Sequence, residues 1–590
     1  MSSAENRRTL NSPADSPLER AAVYFGLTGR AEFIFVAGLF TLMLLLKIVN
    51  ASRYRFDTDE SQHLHVIWGW AHGFVQYRDV CDNHMPLFQL AMTPIFGLLG
   101  DRADILYWMR FLMLPLYLLA VWCTYRIGAI CFSRRTGVWA AILAGAYPGY
   151  HFCSLEFRTD NLWAPLCLLT MLLLLEGRLT ARRAAAGGVV LGLCFGVSMK
   201  SVLLLISILV GAGLTLAFVR PARLGIAVST PFRLLAAFLT SSLIVPAIII
   251  SAFVLAGVWE PFRYWVFENN VVPGLTNHPA WWILAFPLLM PLVIYGGGRL
   301  VRASSDPALA FRRGFLFFTC GFYMPALWSF WPLVTRQDYL PWHPLAFIFY
   351  AAAAAALSDR ITAARFLPAR SHGKFFLPAL AAGVELAAVI IVHPFWINGA
   401  KGEARLLADT LAVTEPADVV LDEKGETVFR QRAFGPIWEP CVNERIARGQ
   451  LADTAAEQCV QKRCCVAVLG KDISVNASAF ILHNYLPVAK RLRVAGAWLR
   501  RSPSDSQRFE FETTIPAAYE VIARAGAVAG LLDGKPLDAP RFLAPGPHMF
   551  ISAGHEDDLV ALWAQAADRD FTPFHHNNIH RKPTASGTHG

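Results

Sequence analysis

The sequence predicts a polytopic, all-α membrane bundle of about eleven transmembrane helices with juxtamembrane helices. This bundle leads into a C-terminal soluble domain of mixed α/β and β-rich character. Three observations predict it. The 590 residues are 55% hydrophobic and 16% charged, with a mean hydropathy of +0.41, whereas soluble domains carry about 25% charged residues. Apolar runs separated by short basic loops recur from residue 31 to 395. From Gly399 the pattern becomes more charged and strand-like. The net charge of +10 is no nucleic-acid footprint, because the basic residues are dispersed in the loops.

In chain order, residues 1–30 are polar and Arg-rich and read as a cytoplasmic tail. The run Phe33 to Val49 lacks a small-residue cleavage site, so it reads as a retained helix and not a signal peptide. Crossings are expected at 31–50, 105–125, 137–150, 161–176, 185–198, 201–218, 236–257, 281–298, 314–331, 342–357 and 376–395. The stretch Pro86 to Leu99 is short and interrupted by Pro94, and is expected to lie in the interface or to re-enter.

Loop charge orients the spans. With the N-terminus inside, the inner loops hold Arg126, Arg134, Arg135, Arg178, Arg182, Arg183, Arg220, Arg223, Arg233, Arg299, Arg302, Arg312, Arg313, Arg360, Arg365, Arg370 and Lys374. The short outer loops hold only Arg158, Lys200, Arg263 and Arg336, as the positive-inside rule requires. The outer face also collects the acids. The stretch FDTDESQHLHVIWGWAHGFVQYRDVCDNHMPLFQL, Phe56 to Leu90, holds Asp57, Asp59, Glu60, His63, His65, Asp79, Asp82 and His84. Glu156-Phe157-Arg158-Thr159-Asp160, Met199-Lys200, the Trp259–Trp282 loop and Thr335-Arg336-Gln337-Asp338-Tyr339 fall on the same side. Acids and cations beside membrane crossings mark a functional site. The mixture suits a base for an acceptor with positive charge for an anionic leaving group, and phosphate is the anion that Arg and Lys recognise well.

Asp59-Glu60, a helical stretch, and then Gln76-Tyr77-Arg78-Asp79-Val80-Cys81-Asp82-Asn83-His84-Met85-Pro86-Leu87 resemble the first outer loop of bacterial GT-C glycosyltransferases. That group contains protein mannosyltransferases, the lipid A aminoarabinose transferase and rhizobial galacturonosyl transferases. Arg110, Tyr125-Arg126-Ile127-Gly128, the run Arg134 to Ala141, and Arg158-Thr159-Asp160 extend the resemblance over residues 31–345. Met85 stands where the pattern often has a first Pro, and His84 where the aminoarabinose transferases carry Lys.

The resemblance implies a transferase using a polyprenyl-phosphate-linked sugar, in a bacterial inner membrane, with its site on the periplasmic side. Its acceptor would be a glycan, a lipid or a protein hydroxyl. An acceptor hydroxyl attacking the activated anomeric carbon needs a base in reach, and the departing phosphate needs fixed cations. By its match to the family, Asp59 is the expected base, with Glu60 orienting it or exchanging roles and Asp160 contacting substrate hydroxyls. Arg158, Lys200, Arg336, Asp79, His84 and Asp338 are expected to bind substrate. Direct displacement would invert the anomeric centre. No cofactor and no metal are expected. His63 and His65, two apart, would point to different faces of a helix, and neither CxxC nor HExxH occurs. The competing class is a transporter or flippase for a lipid-linked or anionic substrate. It would favour repeated halves with midplane sites, and neither is evident.

The expected division is a tail at 1–30, a transmembrane transferase domain at 31–398 with its first outer loop at 51–104, a periplasmic domain at 399–567 and a flexible tail at 568–590. In the periplasmic part, Ala417-Asp418-Val419-Val420-Leu421 and Cys465-Val466-Ala467-Val468-Leu469 read as buried strands, with helices between. Alternation from Phe509 and the turn Leu532-Asp533-Gly534-Lys535 read as a β-rich unit. Such a domain would cap the outer cavity or bind an acceptor. Its Cys441, Cys459, Cys464 and Cys465 could form one or two disulfides in an oxidising compartment. His575, His576 and His580 lie in the tail.

Overall fold

The computed structural model describes residues 16–220, 224, 229–363, 375–554 and 556–574. Arg223, Arg365, Arg370, Lys374 and the tail histidines His575, His576 and His580 lie outside them, as do residues 1–15 of the expected N-terminal tail. Each of the eleven expected crossings falls on a helix. Among the described residues, six helical segments reach the length and apolarity of a crossing: Arg30–Arg53, Ile105–Cys131, Ser201–Val219, Ser229–Leu255, Ala280–Arg302 and Trp342–Thr362. Asp160–Leu175 and Phe376–Val392 are shorter apolar helices, and Leu87–Leu99 is a third, with Pro94 inside it.

The helices approach closely where side chains vanish, the usual solution where lipid removes the hydrophobic drive between helices. A Cβ on Gly188, in helix Ala181–Val197, would lie 2.2 Å from the carbonyl oxygen of Phe238 on helix Ser229–Ser242. A Cβ on Gly128 would lie 2.7 Å from the Cα of Gly137 across the Met113–Cys131 and Arg134–Ala146 pair.

The two ends of the bundle differ in charge. At one end Arg135 pairs with Glu32 at 2.9 Å, Arg126 pairs with Glu176, and Arg134 and Arg313 donate to the carbonyls of Tyr24 and Cys131. These are cations of the loops expected to lie inside. Asp57, Arg158, Lys200 and Asp338, from the loops expected to lie outside, gather in a separate cluster.

The C-terminal part has its own core, from Leu406 to Phe574. A nine-stranded sheet runs Arg541–Leu543, Ala517–Ala523, Val560–Trp563, Leu492–Trp498, Val466–Val468, Val419–Leu421 and Gln431–Arg432, with two short strands paired beside this path. Val420 pairs in parallel with Val466, and Val466 antiparallel with Val494. A five-stranded antiparallel sheet packs with it, built on Asp505–Thr513 and Gly546–Ser552. Its Leu532–Lys535 hairpin turns through Asp533 and Gly534, both at positive φ (50° and 77°). Two consecutive positive values define the turn that matches strand twist.

Two expectations need correcting. The four cysteines of this domain are buried free thiols; Cys464 Sγ bonds the Val466 carbonyl at 3.2 Å instead of bridging. The tail expected from 568 is packed as far as Phe574, whose ring lies 5.7 Å from that of Trp498.

Replacing Gly188 with Leu should destabilise the protein by about 1–3 kcal/mol or more, since a backbone carbonyl cannot step aside. Gly213→Ala, with nothing within 4 Å of its Cβ, should leave the melting temperature nearly unchanged. Thermal unfolding in detergent compares the two.

Candidate active site at the outer end of the bundle

Asp57 caps helix Thr58–Ala71, and the cap is reciprocal: the Asp57 carboxylate accepts from the first turn, and Glu60 Oε1 accepts from the Asp57 N–H at 2.8 Å. Acidic residues in a helix's first turn also complement its dipole. This places Asp59 and Glu60 on adjacent faces with opposite fates. Glu60 is fully buried in a fork from Arg110, with Nε to Oε2 at 2.7 Å and Nη2 to Oε1 at 2.6 Å. It also accepts from the Phe157 N–H at 2.8 Å. Arg110 in turn donates to the Tyr54 and Arg55 carbonyls and stacks 3.9 Å above the Phe56 ring. Glu60 is therefore engaged on both oxygens, fixing the start of this helix against the 156–158 turn.

Asp59 faces the other way, into a cluster centred on Arg158. The Arg158 guanidinium contacts Asp59 at 2.7 Å, Asp57 at 2.9 Å and Asp160 at 3.5 Å. Lys200, at the break between helices Ala181–Val197 and Ser201–Val219, reaches Asp160 at 3.3 Å and pairs with Asp338. Asp338 caps its own 3₁₀ turn through the Thr335 N–H at 2.7 Å. The third cation is Lys424, from the C-terminal domain, 2.9 Å from Asp59. Four carboxylates thus share three cations in a half-buried pocket. Burial works against the charge of Asp59, but Arg158 and then Lys424 hold its carboxyl well below the usual range. Lys200 and Lys424 lose solvation too, yet Asp160 and Asp59 respectively raise them above an ordinary lysine.

The remaining expected residues divide. His84 Nδ1 lies 3.0 Å from Asp82, which keeps the imidazole's affinity for a proton above its usual value despite burial. Asp79 is turned away from the cluster: Arg78 holds it at 2.7 Å, and it lines a separate cleft of about 220 Å³ with His65, Trp68, Arg432 and Lys462. Arg336 is exposed beside Gln337 and Asp338. Arg263 pairs on the surface with Glu260 at 2.8 Å and with Glu268.

Sequence reasoning missed Lys424 and Lys47, and named Arg110 only as part of the resemblance, without its partner Glu60. Lys47 is fully buried in the first long helix and donates to Ser154 Oγ at 2.7 Å and to the His151 carbonyl, bracing the segment that leads to Arg158. A lone lysine within an apolar span was a signal in the sequence; Lys424 gave none, since its partner lies 365 residues away. The C-terminal domain seats on the first outer loop at further points. His65 Nδ1 meets the Val428 carbonyl at 2.7 Å, and Asn83 donates to Glu439 at 2.8 Å. Gly425, at φ +98°, passes so close that a Cβ would lie 2.7 Å from the His65 side chain.

Beneath the cluster, an apolar groove of about 410 Å³ runs between helices Ala285–Arg302, Pro307–Phe330 and Trp342–Ala363. Leu289, Phe317, Met324, Trp328 and Trp342 line it. Trp328 Nε1 bonds Tyr339 at 3.0 Å, so the groove's upper end lies one residue from Asp338.

Glu156 is buried beside this cluster and accepts from Gln337 at 2.8 Å. Burial raises its carboxyl to about 7, against the pull of Arg158. The folded protein therefore prefers the neutral form, and stability is lost as pH climbs from the unfolded value of about 4.5 through 7. Glu156→Gln should raise stability at pH 8 by up to about 3 kcal/mol. The gain should vanish near pH 4.5, as read by melting temperature against pH.

No family model matches the chain, and no curated protein matches it in sequence. Solved structures do. ArnT from Cupriavidus metallidurans in the apo state superimposes with a TM-score of 0.52 at 13% identity, over 79% of this chain and 98% of that one. The same protein bound to undecaprenyl phosphate gives 0.52 at 14% identity, over 78% and 97%. The chain shares the fold of these structures, the GT-C fold that the outer-loop resemblance implied.

Proposed function

We propose that this protein is a membrane glycosyltransferase. It moves a sugar from a polyprenyl-phosphate carrier to an acceptor hydroxyl, with inversion, on the periplasmic side of a bacterial inner membrane. The observation that carries the proposal is the set Arg158, Lys200 and Lys424, interleaved with Asp59, Asp160 and Asp338 at the head of an apolar groove. In this reading a prenyl chain lies along the apolar groove and its phosphate meets the cations. The ArnT structure with undecaprenyl phosphate, a protein of the same fold, supports the same class of donor.

The geometry suggests how the reaction is timed. Without substrate, Asp59 is held ionised by two cations and is a weak base. A donor phosphate draws Arg158 and Lys200 towards itself, and the proton affinity of Asp59 rises as its partners are shared. An acceptor oxygen then attacks the anomeric carbon, and its proton passes to Asp59. The bond from carbon to phosphate oxygen breaks, with its electron pair leaving on the polyprenyl phosphate. Fixed cations stabilise that charge as it develops. Asp160 is suited to substrate hydroxyls and Glu60 to positioning. His84, Asp338 and the exposed Arg336 border the donor's path, and Asp79 lies outside it. The inner-end arginines support a cytoplasmic N-terminus, which leaves the domain at 399–567 periplasmic. The transporter alternative has less support, since the charges gather at one end of the bundle.

The test is transfer by the purified full-length chain in nanodiscs, with a panel of polyprenyl-phosphate sugars and an envelope extract as acceptor. Asp59→Asn should lower transfer at least about a hundredfold in protein that remains folded, even where its melting temperature falls with the lost ion pairs. Lys424→Met should lower it about tenfold to a hundredfold, although Lys424 belongs to the other domain. Arg263→Ala should be silent. Equal transfer by wild type and Asp59→Asn would remove Asp59 as the base. Movement of lipid-linked sugar without transfer would favour a transporter.

A further inference from the structure

One helical turn beyond Asp59, a second constellation is not used by this chemistry. One ring nitrogen each of His63 and His84 and a carboxylate oxygen of Asp82 lie within 4.8 Å of one another. His63 and Asp82 are completely buried, and His84 is half-buried. His63 Nε2 has no hydrogen-bond partner among the described residues. A buried imidazole nitrogen left unpaired is costly unless something coordinates it.

Asp82 is the best-supported carboxylate in the loop. Gln76 and Gln89 donate to its Oδ2 at 2.7 and 2.9 Å, and Gln62 approaches its Oδ1 at 3.4 Å. Three amide donors orienting one carboxylate between two imidazoles is how an outer shell holds a ligand set. The edge from His84 Nδ1 to Asp82 Oδ1 is 3.0 Å, close to the roughly 3.3 Å between neighbouring ligands of a tetrahedral site with bonds near 2.0–2.1 Å. The other edges, at most 4.8 Å, need to contract by up to about 1.5 Å to reach that geometry.

We propose that His63, Asp82 and His84 bind a divalent transition-metal ion of the zinc class, with the fourth position open to water. Two imidazoles and a carboxylate favour such an ion over magnesium or calcium, which take oxygen-rich shells. The ion ties the 76–86 loop to helix Thr58–Ala71 and adds positive charge one turn from Asp59. It gives the buried His63 nitrogen its partner. The inference does not depend on the transferase reading, because metal binding is measured directly.

The test uses full-length protein with a non-histidine affinity tag, since the tail histidines His575, His576, His580 and His589 are rival ligands. Elemental analysis should find about one zinc per chain. Zinc returned to chelator-stripped protein should raise its melting temperature. Both effects should be lost in His63→Gln and His84→Gln, and kept when the four tail histidines are replaced by Asn. X-ray absorption of the zinc-loaded wild type should show nitrogen and oxygen neighbours with no sulfur, a reading independent of how the variants fold. The proposal is overturned if stripped wild type neither binds zinc nor shifts, if zinc persists in both histidine variants, if it leaves with the tail histidines, or if sulfur appears among the ligands.

Discussion

The structure depends on the Arg158 guanidinium. Nearly buried, it contacts the cap of one helix, the first turn of that helix and the first residue of another through Asp57, Asp59 and Asp160. Desolvating a guanidinium is expensive, and removing one partner of such a set leaves an uncompensated buried charge. The surrounding construction answers that cost. Arg110 and Glu60 lock the 56–60 segment, Lys47 braces the 151–154 turn, and the Lys200 break brings a second cation to Asp160. The site is thus a set of charges that satisfy one another, and on the proposed reading a donor phosphate competes with the carboxylates for the cations.

Lys424 makes that arrangement a property of two regions. The C-terminal domain carries its own core and sheet, yet it closes on the first outer loop through Lys424, Val428 and Glu439. It is more than a passive cap, since one of the three cations at Asp59 and Asp160 belongs to it. The proton affinity of Asp59 is therefore coupled to how that domain sits.

Much of this was legible in the sequence, for identifiable reasons. Hydrophobic run length and loop charge located the helices and the charged end, since the bilayer imposes both. Asp59, Arg158, Asp160, Lys200 and Asp338 were found because polar residues stand out against apolar spans, and the structure brings all five together. The Asp533-Gly534 turn was legible because few residues accept two positive φ values. Partners distant in sequence were not legible. Glu60 looks like the equal of Asp59 until Arg110 claims it from 50 residues away, and Asp79 looks like a site residue until Arg78 holds it in its own turn. His63 and His84, 21 residues apart, converge only because the loop folds back on its helix. The disulfide expectation came from compartment and count, whereas packing chose buried thiols.

The central claim is that substrate phosphate takes over cations that the empty site spends on its own carboxylates. A structure of the full-length protein in nanodiscs with an undecaprenyl-phosphate sugar tests it most directly. The account predicts the phosphate within hydrogen-bond distance of Lys200 and Arg158, with the prenyl chain in the groove between Trp328 and Trp342. It also predicts a lengthened Arg158–Asp59 contact. A phosphate bound elsewhere, with Arg158, Lys200 and their aspartates still paired as they are now, would contradict it.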